Sequence, residues 1–506
     1  MKKFFPTLLL LLSCGLSAVA QPSGNPLVFG ENRLTLITPT LFRLEFARDG
    51  KFIDDPTIFA YDRSNLLPAD RFEVRALGGD RYEITTEALR IVYEHDGFPF
   101  GLHNFAAYYK LNGKEKKFTN RCIFRNNLGG PVETLDRVTG EIPMQDGLLS
   151  RDGWYVIDDE RSDLLVDGWL CPRDTKSHVQ DQYCFVYGND YKAALADLGA
   201  IGGRVPMTRK YIHGVWYCRY WDYTSEEFLS IIDGYEQNDF PLDNLVFDMG
   251  WHTYTARTGS RSWTGYTWER ERIPDPEALI AEVHRRGVTV SLNDHPHDGI
   301  RPHEEMYGAF MKDMGADPAK PLLFDLGDRK YMETFFKHAH HTTEDMGVDF
   351  WWLDWQQWME SKFTPGLSNT FWLNYTFFHH AEQQNPALRP FIYHRWGGLG
   401  SHRYPLAFSG DTYAKWETLA FLPYFTATSS NVNYGYWGHD IGGHMFKKET
   451  KATDPELYTR WLQYGVFTPI FKTHSTKDPR IERYLWFFPD HLFVMRDAIR
   501  LRYTLA

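Results

Sequence analysis

Hydrophobic and polar positions change rhythm once along this chain. From about residue 25 to 205 they form short alternating segments broken by Gly, Asn, Asp and Pro. "RLTLITPTLFRLEFA" (33–47) and "RYEITTEALRIVYE" (81–94) both put apolar side chains at every second position, the pattern of half-buried strands. The spacing predicts an antiparallel β-sandwich over 25–205, with one short helix at "YKAALADLG" and a junction at "GGRVP".

From His213 the period lengthens. Eight short apolar segments predict strands: "HGVWYCR" (213–219), "NLVFDMGWH" (244–252), "VTVSLNDHP" (288–296), "FWWLDWQQ" (350–357), "FIYHR" (391–395), "LAFSGD" (406–411), "YGYWGHD" (434–440) and "PIFKTHS" (469–475). Helical stretches such as "SEEFLSIIDGYEQND", "PEALIAEVHRRG", "KYMETFFKHAHHTTEDMG" and "PELYTRWLQYGV" lie between them. Eight strand–helix units make a (β/α)8 barrel over 206–506. A doubly wound open sheet is the alternative, but no Gly-rich phosphate fingerprint follows any of these strands. The last helical stretch, "RDAIRLRYTLA", runs to residue 506 without a stop signal, so the chain reads as cut within that helix.

The first residues read as an address. "MKKFFPTLLLLLSCGLSAVAQ" has two lysines, an apolar run and then Ala18-Val19-Ala20, which predicts a secretory signal over 1–20 with cleavage after Ala20 and export to the periplasm or cell surface. A lipoprotein anchored at Cys14 is the alternative, poorly served by Leu12 in the lipobox. No other segment is apolar for long enough to span a membrane.

Composition narrows the partners. Acidic residues exceed basic ones, 66 to 55, which argues against a nucleic-acid partner. Aromatics make up 16% of the chain, a supply that suits sugar stacking and large cores equally. Beyond the signal, Cys122, Cys171, Cys184 and Cys218 show no C-x-x-C pair and no metal-ligand spacing with histidine, so no metal or other cofactor is expected.

The candidate chemistry lies at strand ends. Arg219, Asp248, Asp294, Asp354, Arg395, Asp411, Asp440 and His474 all fall at or just past the C-terminal end of a predicted barrel strand, and those ends converge on one face. Asp354 closes the run "FWWLD", where an unpaired carboxylate would be costly, and Asp411 follows the small Ser409-Gly410 pair. Two facing carboxylates without a metal cluster suit glycoside hydrolysis, in which one attacks or assists and the other protonates the leaving oxygen.

Several motifs, in order from about Gly147 to the C-terminus, resemble glycoside hydrolase family 31, the α-glucosidase and α-xylosidase family. "DFWWLD" is similar to its nucleophile strand, "FPLDNLVFDMGWH" to its second-strand motif, and "RPFIYHRWGGLGSHRYPLAFSGDTYAKWETL" to the stretch carrying an arginine and a Gly-Asp acid/base. "YWGHDIGG" is similar to the Gly-x-Asp-Ile-Gly-Gly segment and "FKTHS" to the histidine of the last strand. The resemblance implies a retaining exo-α-glycosidase acting on an oligosaccharide or glycoconjugate, with Asp354 as nucleophile and Asp411 as acid/base. Asp248, Arg395 and His474 would surround the sugar, and Asp440 would either touch it or support Arg395. Arg395 would keep Asp354 ionised, while burial and the charge of Asp354 would raise the pKa of Asp411.

The chain departs from the common α-glucosidase pattern. Trp355-Gln356-Gln357 follow the nucleophile where Met-Asn-Glu is usual, and "SLNDHP" and "SRDGWYVIDD" look more like branches acting on α-galactose or N-acetyl-α-galactosamine. A galacto-configured sugar is therefore expected, with Asp294 bonding its axial hydroxyl and Trp352 forming an apolar platform. An α-glucosidase or α-xylosidase is the alternative within the family. Two other classes compete: a non-catalytic carbohydrate-binding protein, and a metal-dependent hydrolase using "NDHPHDG" (293–299) and a solvated "HAHH" run (338–341).

Overall fold

The computed structural model describes residues 24–123, 125–253, 262–354, 360–395 and 398–505. The proposed signal, Cys14 and Trp355-Gln356-Gln357 lie outside these residues.

The N-terminal half contains two five-stranded antiparallel sheets. One runs in the order Leu27–Phe29, Asn32–Leu36, Leu41–Ala47, His178–Val186 and Trp154–Asp158. The other is a meander of Phe72–Gly78, Arg81–Thr86, Arg90–Glu94, Phe105–Leu111 and Lys114–Phe118. Phe42, Leu44, Ile84, Tyr93 and Phe105 belong to the core shared by the two sheets. In the second sheet Arg81–Thr86 alternates between exposed and buried positions, as its sequence predicts.

The first sheet departs from the half-buried expectation. Every residue of Asn32–Leu36 and Leu41–Ala47 is buried, charged ones included. The reason is a sequestered ion network. Asp181 accepts from Arg43 at 2.7 Å and from Arg63 at 3.1 Å, and also pairs with Arg173. Glu45 pairs with Arg33 at 2.6 Å and with Arg43 at 2.8 Å. Burial alone would raise the pKa of Asp181, but the three arginines outweigh it and hold the carboxyl well below the usual range.

Eight parallel strands then close a barrel in chain order. They are β1 (Val215–Tyr217), β2 (Asn244–Phe247), β3 (Thr289–Asp294), β4 (Phe350–Leu353), β5 (Tyr393–Arg395), β6 (Ala407–Phe408), β7 (Trp437–Ile441) and β8 (Ile470–Thr473), each inside the segment predicted for it except β7, which runs one residue further, to Ile441. Nearly all their residues are buried because both faces are covered, by the barrel interior on one side and by helices on the other. Trp216, Trp352, Tyr393, Phe408 and Ile470 fill the interior.

The helices start where polar caps allow. Thr224 and Glu227 form a reciprocal capping box at Ser225–Gln237, while Asp275 and Asp454 cap helices that begin at Pro276 and Pro455. The last helix, Leu492–Leu505, is tied to the barrel by buried Arg502, which donates to the carbonyls of His213, Gly465, Val466, Thr468 and Pro469. Its Phe493 and Leu505 are exposed. Cys122, Cys171, Cys184 and Cys218 are free thiols, and no described helix is long and apolar enough to cross a membrane.

The ion network gives the first prediction. Asp181→Ala leaves three guanidinium groups around an uncompensated site and should cost about 3–5 kcal/mol in urea unfolding followed by tryptophan fluorescence. Because the folded-state pKa is depressed, this contribution is present above the unfolded carboxylate pKa and fades as pH falls through the folded one. A loss under about 1 kcal/mol would show that the network adds nothing net.

Candidate active site

The carboxyl ends of the barrel strands surround a cavity of about 570 Å³, within the range of small-molecule sites. Asp248, Asp354, Arg395, Asp411 and His474, all predicted from the sequence, line it together. So do Asp136, His295, His444 and Trp263, to which the sequence reading gave no role in this site.

Asp354 stands just past β4, and its backbone N–H donates to the carbonyl of Asp294 at 3.0 Å, which continues the β3–β4 ladder. Its carboxylate accepts from Arg395 Nε at 2.8 Å and Asn293 Nδ2 at 2.9 Å, and His295 Nε2 lies 3.3 Å away. Burial would raise its pKa, but the Arg395 charge with His295 and Asn293 outweighs that and holds it well below the usual range. This is the answer to an aspartate at the end of so apolar a strand: it is fully partnered.

Arg395, the last residue of β5, is almost entirely buried and serves three carboxylates. Besides Asp354, its Nη2 donates to Asp411 at 2.9 Å and its Nη1 to Asp136. Asp136 belongs to a loop of the N-terminal half that docks along the end of β6. Leu135 N donates to Ser409 O, Arg137 N to Asp411 O, and Asp411 N to Asp136 Oδ1 at 2.7 Å. Gly410 permits this approach, since its φ is +106° and a Cβ there would overlap Thr134 and Asp136.

The environment of Asp411 pushes its pKa up. Burial is the main cause, opposed by Arg395 and His444 and reinforced by Asp136 and Asp354. Asp248 is buried too, and desolvation together with the charge of Asp354 lifts it to about 6, although Met249 N donates to it at 2.7 Å. His474 Nε2 lies 3.6 Å from Asp248 and is held neutral, first by burial and then by the charge of Lys472.

Four residues singled out from the sequence do not line the cavity, and one of them, Arg219, lies over the Trp221 ring. Asp294 has the opposite side-chain parity from Asn293 and His295, so it turns toward the helix layer, where Tyr266 Oη and His340 Nε2 each bind it at 2.9 Å. Trp352 has the same parity as Asp354 but lies one layer lower. It is fully buried against Tyr393 and Phe408, with Lys472 Nζ 4.0 Å above its ring, and offers no platform to a ligand. Trp263, 45% exposed on the cavity wall, presents the accessible indole instead. Asp440 neither lines the cavity nor bonds Arg395. It pairs with Lys472 at 3.1 Å and with His444 Nδ1 at 3.2 Å, and so positions a wall residue. Of the histidines in "NDHPHDG", His295 serves Asp354. The "HAHH" run is not solvated throughout, since His340 is completely buried.

Comparison with known proteins identifies the barrel. The model of the glycosyl hydrolases family 31 TIM-barrel domain matches residues 205–506. Human neutral alpha-glucosidase C is 26% identical over 381 residues, covering 67% of this chain and 38% of that protein. An alpha-xylosidase of Saccharolobus solfataricus is 24% identical over 348 residues, covering 64% of this chain and 45% of its own length. The chain thus spans less than half of either relative. Among solved structures, a GH31 dextranase of Flavobacterium johnsoniae complexed with glucose superposes with a TM-score of 0.69 at 17% identity, over 94% of this chain and 66% of that one. With more than half of its length matched by the family's barrel domain, the chain belongs to glycoside hydrolase family 31.

Proposed function

We propose that the protein is a retaining exo-α-glycosidase that cleaves terminal α-linked sugars by double displacement. One observation carries this reading. Two carboxylates with opposite protonation tendencies are held side by side by one guanidinium, through Nε and Nη2. Neighbouring donors of one planar group keep the carboxyls close, as suits retention at roughly 5–5.5 Å rather than inversion at roughly 6.5–9.5 Å.

In this proposal ionised Asp354 attacks the anomeric carbon while protonated Asp411 gives its proton to the departing oxygen. Asp411 then takes a proton from water, which attacks the glycosyl–Asp354 ester and frees the sugar. Asp248 and His474 bind hydroxyls, and Trp263 covers an apolar ring face. Names of the relatives support glucosides and xylosides as substrates. The galacto-configured alternative keeps the Trp355-Gln356-Gln357 departure but loses Asp294 and Trp352, the two side chains expected to read that sugar. Export by way of residues 1–20 belongs to the same proposal and rests on the sequence alone.

Asp354→Asn should lower turnover by at least ~10³-fold without changing the circular dichroism spectrum. In the wild type, a 5-fluoroglycosyl fluoride should leave a covalent sugar adduct on Asp354 by peptide mass spectrometry. Release of the inverted anomer in an NMR time course would refute retention. Binding of sugars with no turnover of any p-nitrophenyl α-glycoside would favour the carbohydrate-binding reading instead. In a panel of p-nitrophenyl α-glucoside, α-xyloside, α-galactoside and N-acetyl-α-galactosaminide, galactoside turnover at least ~10²-fold above glucoside would restore the galacto reading.

A pH dependence follows from the sign of the acid/base shift. Activity should fall as pH rises through the elevated pKa of Asp411. The His444 cation opposes that elevation, so His444→Gln should move the alkaline limb of kcat to higher pH. A limb that stays in place or moves down would mean that another group controls it.

A further inference from the structure

Behind the cavity, three side chains of the helix layer converge on one point. His340, Glu344 and His380 each present one ligand atom, and these atoms all lie within 4.8 Å of one another. His340 ends the π-helical turn Phe336–His340, Glu344 ends the short helix His341–Glu344, and His380 belongs to Asn369–Gln384. π-Turns of this kind concentrate at functional sites, where the widened turn re-aims a side chain.

We propose that these three residues form a binding site for a divalent transition-metal ion of the zinc class, separate from the sugar cavity. The donor set, two imidazoles and one carboxylate, suits zinc and its neighbours and is poor for calcium or magnesium. Bonds of about 2.0–2.2 Å in a tetrahedron need ligand atoms roughly 3.3–3.6 Å apart, so only side-chain adjustment is required.

A second observation is independent of the spacing. His340 Nε2 lies 2.9 Å from Asp294 Oδ2, and a carboxylate only accepts, so the ring proton belongs on Nε2. That leaves Nδ1 with a bare lone pair. His340 is completely buried, and its Nδ1 has no hydrogen-bond partner in the protein. A buried, oriented, unprotonated imidazole nitrogen is costly unless it is used, and a carboxylate on the opposite nitrogen is the usual support of a metal-binding histidine.

The rest of the pocket is organised in the same way. Glu344 Oε1 accepts from Trp351 Nε1 at 2.9 Å and Oε2 accepts from Gln384 Nε2 at 2.9 Å, which fixes the carboxylate plane. His380 Nε2 lies 2.9 Å from Glu344 Oε1, so the metal would replace the proton shared there and release it. Glu344 and His380 both border a cavity of about 270 Å³, which supplies an entry path and solvent as a remaining ligand. The site would join the helix layer to β3 through Asp294.

The full-length protein, stripped with EDTA, dialysed against micromolar zinc and then against buffer, should retain one equivalent of zinc by mass spectrometry. Its cobalt(II) form should show the visible absorption of a four-coordinate site. His380→Gln and Glu344→Gln should each weaken zinc binding at least tenfold, while His338→Gln, a histidine bound instead to Asp313, should bind as the wild type does. Wild-type protein that retains no zinc overturns the proposal without recourse to any variant. Equal zinc retention by wild type and His380→Gln overturns it as well, and assigns the metal to surface histidines.

Discussion

The site depends on the burial of one guanidinium. Arg395 has lost nearly all contact with water, and a lone buried cation would cost several kcal/mol. Three carboxylates at hydrogen-bonding distance offset that cost, and each arrives from a different part of the chain: the end of β4, the turn after β6, and the N-terminal half. The converse also holds. Without the cation, the carboxylates of Asp136, Asp354 and Asp411 would lose the one counter-charge they share.

The same cation separates the two catalytic candidates electrically. It touches both, yet Asp354 also receives Asn293 and His295, whereas Asp411 has Asp136 beside it. The floor under this arrangement is itself charged. Lys472 sits among Trp352, Tyr393 and Phe408 and pairs with Asp440, so the aromatic interior of the barrel carries a cation beneath the acids.

Much of this was legible in the sequence. The eight barrel strands announce themselves as apolar runs ending in charge, because a strand covered on both faces must be apolar until it reaches the open mouth. Asp248, Asp354, Arg395, Asp411 and His474 could be placed for that reason. Two errors came from ignoring depth and parity. Asp294 and Trp352 stand near strand ends, but one points outward to His340 and the other lies a layer too low. Asp136 could not be found by such reasoning, since it acts across 259 residues and sits in a loop with no periodic pattern. The buried ion network of the first sheet was hidden too, as Arg33, Arg43 and Glu45 look like the polar face of an ordinary strand.

Gly410 is a hinge of composition rather than of motion. By giving up a side chain it lets a loop of one half of the protein lie against the working surface of the other. The barrel therefore does not own its mouth outright. A grafted, circularly permuted or separately expressed barrel would present an arginine with one counter-charge missing, and exchange of the N-terminal half between relatives would alter the acid/base environment without touching a single barrel residue. Diversification of such a site can proceed by changing the lodger instead of the house.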